Sequence, residues 1–508
     1  MAPQIIHLPD GQNFTVTPVF AGLFFKSHEL STHNNAFPIG WTVVLHTEDP
    51  ADDLIEGTDL AKRPVHSFTR PTLHNDRLFI SSISNPSSND FKPAASPTRQ
   101  IAMMLWVTLY WYFHQPEPPS VLHSEASKNT PESGKPRGEW RINIKRDGVL
   151  RGRNLIPKLE RMGLISTLDS AVGVVMDDSE GWSRMFVSRK MFWQIPGRLF
   201  LFTLQPQSRG GHSHPGSPTA SRPGSPTINE SANRPNLSPS MSHYADLPGA
   251  PPPITLTSTP SFAIGPFYSS SHLPTYYPPA PAQFIMADGI RHPLRPKPPR
   301  MGEIFYTRFI PSVGQYLSFR VASVSPKPVP HMGPVSPNPP LQSDDLTTLS
   351  DTSLLQKWLA NPRVSAFWGW YVPDFLTKAL ASKHSFPVIG MWDGVPFGYF
   401  EIYWVKEDPL GRYVGGGDTA DWDRGFHVFI GEDWARGRVL PWLTSLVHWA
   451  FCSDYRTMSI CVEPRVDNSR FIQHLQLAGF SKEKEIAFPH KQAWFGRLRR
   501  DTWSSPAL

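Results

Sequence analysis

Cysteine is scarce in this sequence, with only Cys452 and Cys461 among 508 residues. Two cysteines do not supply the disulfide framework that stabilises many small secreted domains. Both lie in the same strongly patterned stretch of the C-terminal third, where we expect them to be buried and reduced. This usage is typical of an intracellular protein.

Long hydrophobic runs are also missing, since a membrane-spanning helix needs about 20 apolar residues. The most apolar stretch, Ile101–Phe113, is shorter and predicts a buried helix. No early apolar segment marks a signal peptide. The residues Ser505–Leu508 differ from the Ser-Lys-Leu address of peroxisomal proteins. We therefore expect a cytoplasmic protein without a membrane partner.

Charge of one sign is nowhere concentrated. The sequence has 49 Lys and Arg against 43 Asp and Glu, a formal net charge of +6, and no long basic run. A nucleic-acid-binding protein would need basic residues clustered on one face. The composition therefore argues against a nucleic-acid partner, whereas a local basic patch would suit a small polyanionic ligand.

Proline, by contrast, is abundant, with 55 residues concentrated in few segments. Residues 205–299 are dominated by Ser, Pro, Gly and Asn, and such a segment buries too little apolar area to offset its ordering entropy. We predict an N-terminal domain at 1–204, a mostly disordered linker at 205–299 and a C-terminal domain at 300–505. The mixed strand and helix patterns on both sides indicate the α+β class.

The most informative stretch is 425–480, which predicts alternating strands and helices. The start of its first helix follows a basic, glycine-containing loop, and helix N-termini readily bind pyrophosphate groups. The predicted elements are a strand at Phe426–Ile430, a loop at Glu432–Arg438, a helix at Leu440–Phe451, a strand at Met458–Val462 and a helix at Asn468–Ala478.

Four further predictions concern the chain upstream of this unit. Asp393-Gly394 between two apolar runs is a strong hairpin signal. Asp345–Leu359 has the pattern of one helix, and Asn361–Trp370 that of a loop. The glycine-rich segment Asp408–Asp421 is a candidate substrate lid.

This order of elements resembles the acyl-CoA-binding core of the GNAT N-acyltransferases. Gly437 matches the first glycine of the family's loop, whereas Val439 stands where the family has a second small residue. The sequence is more similar still to the siderophore branch, which acylates N-hydroxylated lysine or ornithine. The matching motifs are Phe426-His427-Val428, Glu463-Pro464, Asn468 and the strand GYFEIYW at Gly398–Trp404.

The N-terminal half resembles fungal hydroxyornithine acyltransferases through His74–Ser84 and Arg99–His114. The resemblance implies a degenerate GNAT-like domain there, without an active site. The expected fold is therefore α+β with two GNAT-like domains, of which the C-terminal one is catalytic, joined by the long Pro/Ser-rich segment.

The activity implied by the resemblance is acyl transfer from acyl-CoA to the N5 nitrogen of N5-hydroxy-L-ornithine, forming a siderophore hydroxamate without a metal. Acetyl-CoA is the expected donor. Two alternatives are a transferase of the anhydromevaleryl group, as in the fusarinine pathway, and a catalytically silent GNAT-like scaffold. The sequence leaves the oligomeric state open, and a homodimer is one candidate because an edge strand of such a sheet often pairs with a second copy.

The resemblance assigns His427 and Glu463 as catalytic residues that bind and deprotonate the hydroxylamine nitrogen, and leaves open which of them takes the proton. Arg436, Gly437 and Arg438 are assigned to the CoA pyrophosphate.

Asn468 is either a helix N-cap or a CoA contact. The predicted substrate residues are Trp368, Glu401, Tyr403 and Trp404, although strand alternation places Trp404 on the face opposite Glu401 and Tyr403. His448 and His474 lie on predicted helices and are interpreted as structural.

Overall fold

The computed structural model describes residues 2–20, 22–28, 38–48, 64–84, 97–152, 155–167, 185–197, 201, 283–287, 289–337, 344–415 and 419–508. Residues 205–282 of the predicted linker lie outside this part. The described residues belong to one compact unit. No helix among them has the length and apolar character to cross a membrane.

The described N-terminal half forms one nine-stranded sheet. Its strands are β1 (Gln4–His7), β2 (Asn13–Val19), β3 (Gly22–Ser27), β4 (Gly40–Glu48), β5 (Val65–Ser67), β6 (Asp76–Ser84), β7 (Arg141–Ile144), β8 (Ser166–Thr167) and β9 (Met185–Ser188). The order is β1-β2-β3-β4-β6-β7-β9-β8, and β5 pairs with β4. The helices are α1 (Pro97–Tyr112), α2 (Leu155–Arg161) and α3 (Arg189–Gln194), with 3-10 turns at Glu125–Ser127, Glu132–Gly134 and Gly148–Arg151.

The C-terminal half forms an eight-stranded sheet. Its strands are β12 (Ile304–Ile310), β13 (Gln315–Val321), β14 (Ser385–Trp392), β15 (Val395–Trp404), β16 (Arg424–Ile430), β17 (Ser459–Val462), β18 (Ser481–Phe488) and β19 (Lys491–Arg499), in the order β12-β13-β14-β15-β16-β17-β19-β18. The helices are α4 (Asp344–Thr347), α5 (Asp351–Leu359), α6 (Pro362–Trp368), α7 (Phe375–Ala381), α8 (Pro409–Val414), α9 (Val439–Ser453) and α10 (Ser469–Leu477), with a 3-10 segment at Asp433–Arg438.

A separate hairpin precedes this sheet, formed by β10 (Phe284–Ala287) and β11 (Ile290–Pro293). It lies within the predicted linker, so the last part of that segment has regular structure. Arg295, just beyond the hairpin, forms a bidentate ion pair with Glu407 at 2.6 and 2.7 Å. The predicted domain boundaries at 204 and 299 stay predictions.

The two sheets share one topology. In each, an antiparallel run ends in a parallel pair, β6 with β7 and β16 with β17. A long helix connects each parallel pair, α1 in the first half and α9 in the second. A shorter helix and an antiparallel hairpin follow, and the last strand of each hairpin lies next to the parallel strand. Both halves thus have the α+β architecture expected of GNAT-like domains.

The core is continuous across the two halves and rich in aromatic side chains. The apolar face of α9 comprises Leu440, which is half-buried, and Leu443, Leu446, Val447 and Ala450, which are buried. Burying one large apolar side chain stabilises the fold by about 1.5–3 kcal/mol. This face therefore holds α9 against the sheet and fixes where its N-terminus lies.

The hairpin predicted at Asp393-Gly394 is confirmed. Both residues have a positive φ, 47° and 86°, as the two central positions of a tight type I′ turn require. The turn joins β14 to β15 in antiparallel register. It sets the register of the strand that carries Glu401 and Tyr403.

Three sequence predictions differ from the structure. The helix expected at Asp345–Leu359 is divided in two, because Ser350 caps a new helix by accepting a hydrogen bond from the Ser353 amide. The loop expected at Asn361–Trp370 contains α6, for which Asn361 is the N-cap and Pro362 the first residue.

The candidate lid, Asp408–Asp421, differs as well. Its described part contains α8, and the Leu410 and Val414 side chains of that helix are buried in a cluster beside Tyr403. This part is therefore packed against the sheet.

Candidate active site

A cavity of about 640 Å³ opens where the parallel strands β16 and β17 separate. The two strands pair only at Arg424 with Ile460 and Gly425 with Cys461. Beyond these pairs they diverge, and side chains of α6, α9 and α10 complete the walls. We call this cavity the cleft. The polar residues that line it include Arg363, His427, Arg436, Glu463, Arg465, Asn468, Arg470, His474, His490 and Lys491.

His427 projects into the cleft from the middle of β16, with 31% of its side chain exposed. Its Nε2 atom lies 2.8 Å from Oε1 of Glu463, and its Nδ1 atom lies 3.5 Å from Oε2 of Glu401. Glu401 is its direct cross-strand partner on β15. Glu463 follows the last residue of β17, so the separation of the strands places its carboxylate opposite the imidazole. The structure thus holds one imidazole between two carboxylates.

The two carboxylates change the protonation of this imidazole. Burial alone would lower the pKa of His427, but the charge of Glu463 and the hydrogen bonds with both glutamates outweigh burial and raise this pKa to about 10. Burial likewise would raise the pKa of Glu463, but His427 and Lys491 lower it to about 2. The pKa of Glu401 is also lowered, because its contacts with His427 outweigh burial. Near neutral pH the cluster is therefore an imidazolium between two carboxylates.

Tyr403 is buried beneath the cleft and orients the Glu463 carboxylate. Its hydroxyl donates a hydrogen bond to Oε2 of Glu463 at 2.8 Å, and its ring lies 4.5 Å from the His427 ring between centroids. The side chain is only 1% exposed, so Tyr403 positions the carboxylate and does not line the cleft. Gly425 allows this arrangement, since a Cβ atom there would lie 2.3 Å from the tyrosine ring.

The other predicted substrate residues are placed in different environments. Trp368 lines the cleft, and its ring packs edge-on against His427 at a centroid distance of 6.2 Å. Ser385 donates a hydrogen bond to Glu401 at 3.0 Å and helps to fix that carboxylate. Trp404 lies on the opposite face, where the Arg424 guanidinium stacks 3.7 Å from its ring centroid. Trp404 is therefore separated from the cleft, as strand alternation requires.

The predicted pyrophosphate loop is also divided. Arg436 lines the cleft near the start of α9, and a Cβ atom at Gly437 would meet nothing within 4 Å. Arg438 turns away and donates a hydrogen bond to Oε1 of Gln315 at 2.5 Å, with its guanidinium near the Trp392 and Trp434 rings. Only the first arginine of the loop faces the ligand space.

Asn468 lines the cleft and occupies the N-cap position of α10. Its side chain makes no capping hydrogen bond. The geometry therefore leaves this amide available to the cleft.

Two basic residues that the sequence did not indicate join Arg436. Arg363 comes from α6 and Arg470 from α10, and both line the cleft. After burial, the charge of Arg363 is the largest influence that lowers the pKa of Arg436, and Arg470 adds to it. Asp433 offsets part of this repulsion, with an oxygen 2.5 Å from Nη1 of Arg363. Three neighbouring guanidinium groups favour a polyanionic ligand at this end.

Lys491 and His474 were missed as well. Lys491 starts β19, donates a hydrogen bond to the backbone oxygen of Glu463 at 2.8 Å and lies 3.5 Å from its carboxylate. His474, interpreted from the sequence as structural, lines the cleft. Neither residue lies in a recognisable local motif, since each reaches the cleft only through the fold.

The chain is similar to known acyltransferases. The family model of the acetyltransferase (GNAT) domain matches residues 347–488. The chain is 55% identical over 531 residues to N5-hydroxyornithine acetylase sidL of Beauveria bassiana, which covers 97% of this chain and 100% of that protein.

Two other relatives match a shorter part of the chain. The chain is 34% identical to the N(6)-hydroxylysine O-acetyltransferase of Escherichia coli, over 40% of this chain and 58% of that protein. It is 33% identical to the N(5)-hydroxyornithine:cis-anhydromevalonyl coenzyme A-N(5)-transacylase SIDF of Beauveria bassiana, over 41% of this chain and 42% of that one. Since the similarity to sidL extends over nearly the whole chain, the protein belongs to the GNAT acyltransferase family that includes this N5-hydroxyornithine acetylase.

Proposed function

We propose that the protein transfers an acetyl group from acetyl-CoA to the N5 nitrogen of N5-hydroxy-L-ornithine, forming a hydroxamate for siderophore biosynthesis. The observation that carries the proposal is the cleft between β16 and β17, into which His427 projects beside a basic end while Glu401 and Glu463 hold its imidazole. The relative sidL, similar over its full length, is an acetylase of this substrate. The polyanionic part of CoA is assigned to the end formed by Arg363, Arg436 and Arg470.

The reaction requires a nucleophilic nitrogen and a route for one proton. The nitrogen of the hydroxylamine is less basic than an ordinary amine, so it is largely uncharged at neutral pH. Its lone pair attacks the thioester carbon, and a C–N bond forms. The nitrogen of this adduct is positively charged and acidic, so a carboxylate is a sufficient base.

The protonation of the cluster suggests how its members divide the work. Because His427 already carries a proton near neutral pH, we assign proton acceptance to the carboxylates beside it and proton donation to the imidazolium. When the adduct collapses, the C–S bond breaks and the sulfur of CoA leaves as a thiolate, which takes up a proton. The proton lost by nitrogen thus balances the proton gained by sulfur, and His427 with Glu463 acts as one unit.

Acetyl is favoured over a longer acyl group by the pattern of relatives. The match to sidL covers the whole chain, whereas the match to the cis-anhydromevalonyl transacylase SIDF is weaker and covers 41% of it. The ordered arrangement of His427, Glu401 and Glu463 also argues against the silent scaffold considered from the sequence.

The test is release of free thiol from acyl-CoA by the purified full chain with N5-hydroxy-L-ornithine. Acetyl-CoA and a longer branched acyl-CoA are compared in the wild type, in His427→Ala and in Glu463→Gln. Rapid acetyl transfer that both variants abolish is the expected result. Turnover only with the branched donor would overturn the acetyl assignment, and a folded protein without turnover on either donor would overturn the enzymatic proposal.

We also propose a cytoplasmic homodimer. Cys452, half-buried, and Cys461, buried, form no disulfide with each other, which suits a reducing compartment. The strand β18 lies at the edge of its sheet, and such an edge can pair with a second copy. Light scattering on the purified chain tests the dimer, and a monomer mass would contradict it.

A further inference from the structure

A second cavity, of about 610 Å³, lies between the two sheets and away from the cleft. One wall comes from α1 and α3 of the N-terminal half, and the opposite wall comes from β12 and α9. We call it the inter-sheet cavity. Its volume is within the range of small-molecule sites, about 300–1,000 Å³. None of the residues assigned to acyl transfer lines it.

The walls of the inter-sheet cavity are mostly apolar and include several aromatic side chains, as is usual for a site that binds an apolar ligand body. Trp106 and Phe192 pack against each other with their rings tilted by 32°, at a centroid distance of 5.5 Å. The aromatic residues that line the cavity are Trp106, Tyr110, Phe192, Trp193, Phe305, Tyr306 and Trp449.

Arg308 introduces a buried charge into this apolar setting. The residue lines the cavity and is 1% exposed. Its partners are neutral: Nη2 donates to Oγ of Ser445 at 2.9 Å and to the backbone oxygen of Ala507 at 2.5 Å. Among the described residues no carboxylate forms an ion pair with it, although Asp10 and Glu303 also line the cavity. A buried cation without a counter-ion is costly, so its position favours an anion.

Unpaired donors lie beside this charge. The Nη1 atom of Arg308, the hydroxyl of Tyr110 and the indole nitrogen of Trp193 are buried and have no hydrogen-bond partner among the described residues. Buried donors are normally paired. By contrast, the hydroxyl of Tyr306 is paired with Nδ1 of His448 at 2.9 Å. Each of these three buried groups can therefore donate a hydrogen bond to an acceptor bound in the cavity.

We propose that the inter-sheet cavity binds a small organic carboxylate with an apolar body. The carboxylate accepts hydrogen bonds from Arg308 and Tyr110, and the apolar body packs against the aromatic walls. A guanidinium and a carboxylate form the stronger, charge-assisted type of hydrogen bond. Because both halves form the walls, such a ligand links the N-terminal half to the catalytic one.

The probe for this site is benzoate, and benzamide is its uncharged counterpart of nearly equal shape. Binding to the full chain is measured by calorimetry without acyl-CoA or hydroxyornithine. We expect saturable benzoate binding and at least about tenfold weaker binding of benzamide. Arg308→Met is expected to weaken benzoate binding at least about tenfold, since it removes a charged hydrogen-bond donor.

Two further variants keep the test decisive. Tyr110→Phe removes only the hydroxyl and is expected to weaken benzoate binding about threefold or more, even if Arg308→Met does not fold. Arg436→Ala alters the cleft and should leave benzoate binding unchanged. Equal binding of benzamide, unaltered binding in the folded Arg308 and Tyr110 variants, loss of binding in Arg436→Ala, or no benzoate binding at all would each overturn the proposal.

Discussion

The two halves of the molecule have the same topology but use one position of the sheet in opposite ways. Counting from the parallel pair in each sheet, Ile80 of β6 corresponds to His427 of β16. The cross-strand registers then relate Val43 to Glu401 and Leu45 to Tyr403. The three N-terminal residues are apolar and buried. The position that holds the charged cluster in one half is thus plain core in the other.

In the N-terminal sheet, the place that corresponds to the cleft is covered by a turn of that same half. The 3-10 turn Gly148–Arg151 lies over β6, with Leu150 buried. Gly148 has a φ of 55°, and a Cβ atom there would lie 2.2 Å from the backbone oxygen of Ile80. The comparison shows that this topology alone does not make an active site. A cleft forms only where the two parallel strands separate and no turn covers the gap, and it also needs charged side chains along its walls.

Replacing His427 by isoleucine, the residue at the corresponding position 80 of the N-terminal half, should have the largest effect on activity. His427→Ile is expected to lower kcat by about 10²–10⁴-fold, the range that positioned proton transfer contributes. CoA affinity should change less than about threefold, because the basic end is unaltered. Thiol release and calorimetry with CoA measure the two quantities. In the control, Ile80→Val should keep kcat within about twofold while costing about 0.5–1.5 kcal/mol of stability; nearly normal turnover in His427→Ile would contradict the assignment.

The basic end of the cleft, which the N-terminal half is not expected to reproduce, should show the next largest effect. Arg436→Ala is expected to raise KM for acetyl-CoA about tenfold or more, since a hydrogen bond to a charged group is worth about 1.5–3 kcal/mol. The matched control is Arg438→Ala, which should lower Tm through loss of its Gln315 contact and leave KM within about twofold. Equal effects on KM would show that the orientation of the two arginines is misassigned.

A smaller effect is expected from the residue that holds Glu463. Tyr403→Phe removes a hydrogen bond to the carboxylate, which raises the pKa of Glu463 from its lowered value of about 2. Activity that needs the ionised carboxylate is lost as pH falls, so the acid limb of the kcat profile should move to higher pH. We expect kcat at neutral pH to fall about three- to tenfold.

Tyr316→Phe is the control for this variant. Its hydroxyl bonds to the backbone oxygen of Leu8 at 3.1 Å, outside the cleft. The acid limb of its profile should stay where it is in the wild type. A similar shift in both tyrosine variants would exclude a specific role for Tyr403.

The smallest expected effect is on how the free energy of unfolding depends on pH. The folded-state pKa of His427 is raised to about 10, whereas the unfolded value is about 6.5. The native state therefore keeps a proton that the unfolded chain loses, and stability from this contact is full below pH of about 6.5 and declines as pH rises through about 10. Urea unfolding of the wild type and His427→Gln at several pH values should show their difference shrinking over this window. A constant difference would contradict the raised pKa.

Much of the C-terminal fold follows from local signals. The Asp393-Gly394 turn, the apolar face of α9 and the alternation along β15 each depend on neighbouring residues, and alternation also places Glu401 and Trp404 on opposite faces. The loop predicted over α6 was an error of interpretation, because Asn361-Pro362 is itself a helix-start signal.

Other parts of the site depend on tertiary geometry. Arg363 and Lys491 reach the cleft from elements distant in sequence, so no local pattern indicates them. Whether Arg436 or Arg438 faces the ligand depends on how the short 3-10 segment turns, which composition does not specify. The N-terminal half is related to the C-terminal half through its sheet topology, which depends on pairing between strands distant in sequence. From a single sequence this relationship could be inferred only by resemblance to a known family.

The contact between Gly425 and Tyr403 has a consequence for how relatives of this protein can differ. The pair occupies directly opposite positions on β16 and β15, and the glycine is required because the tyrosine ring fills the space of its side chain. The corresponding pair in the other half is Leu78 opposite Leu45, two residues of intermediate size. In an alignment of the family we therefore expect positions 403 and 425 to covary, with glycine retained at 425 wherever tyrosine is retained at 403.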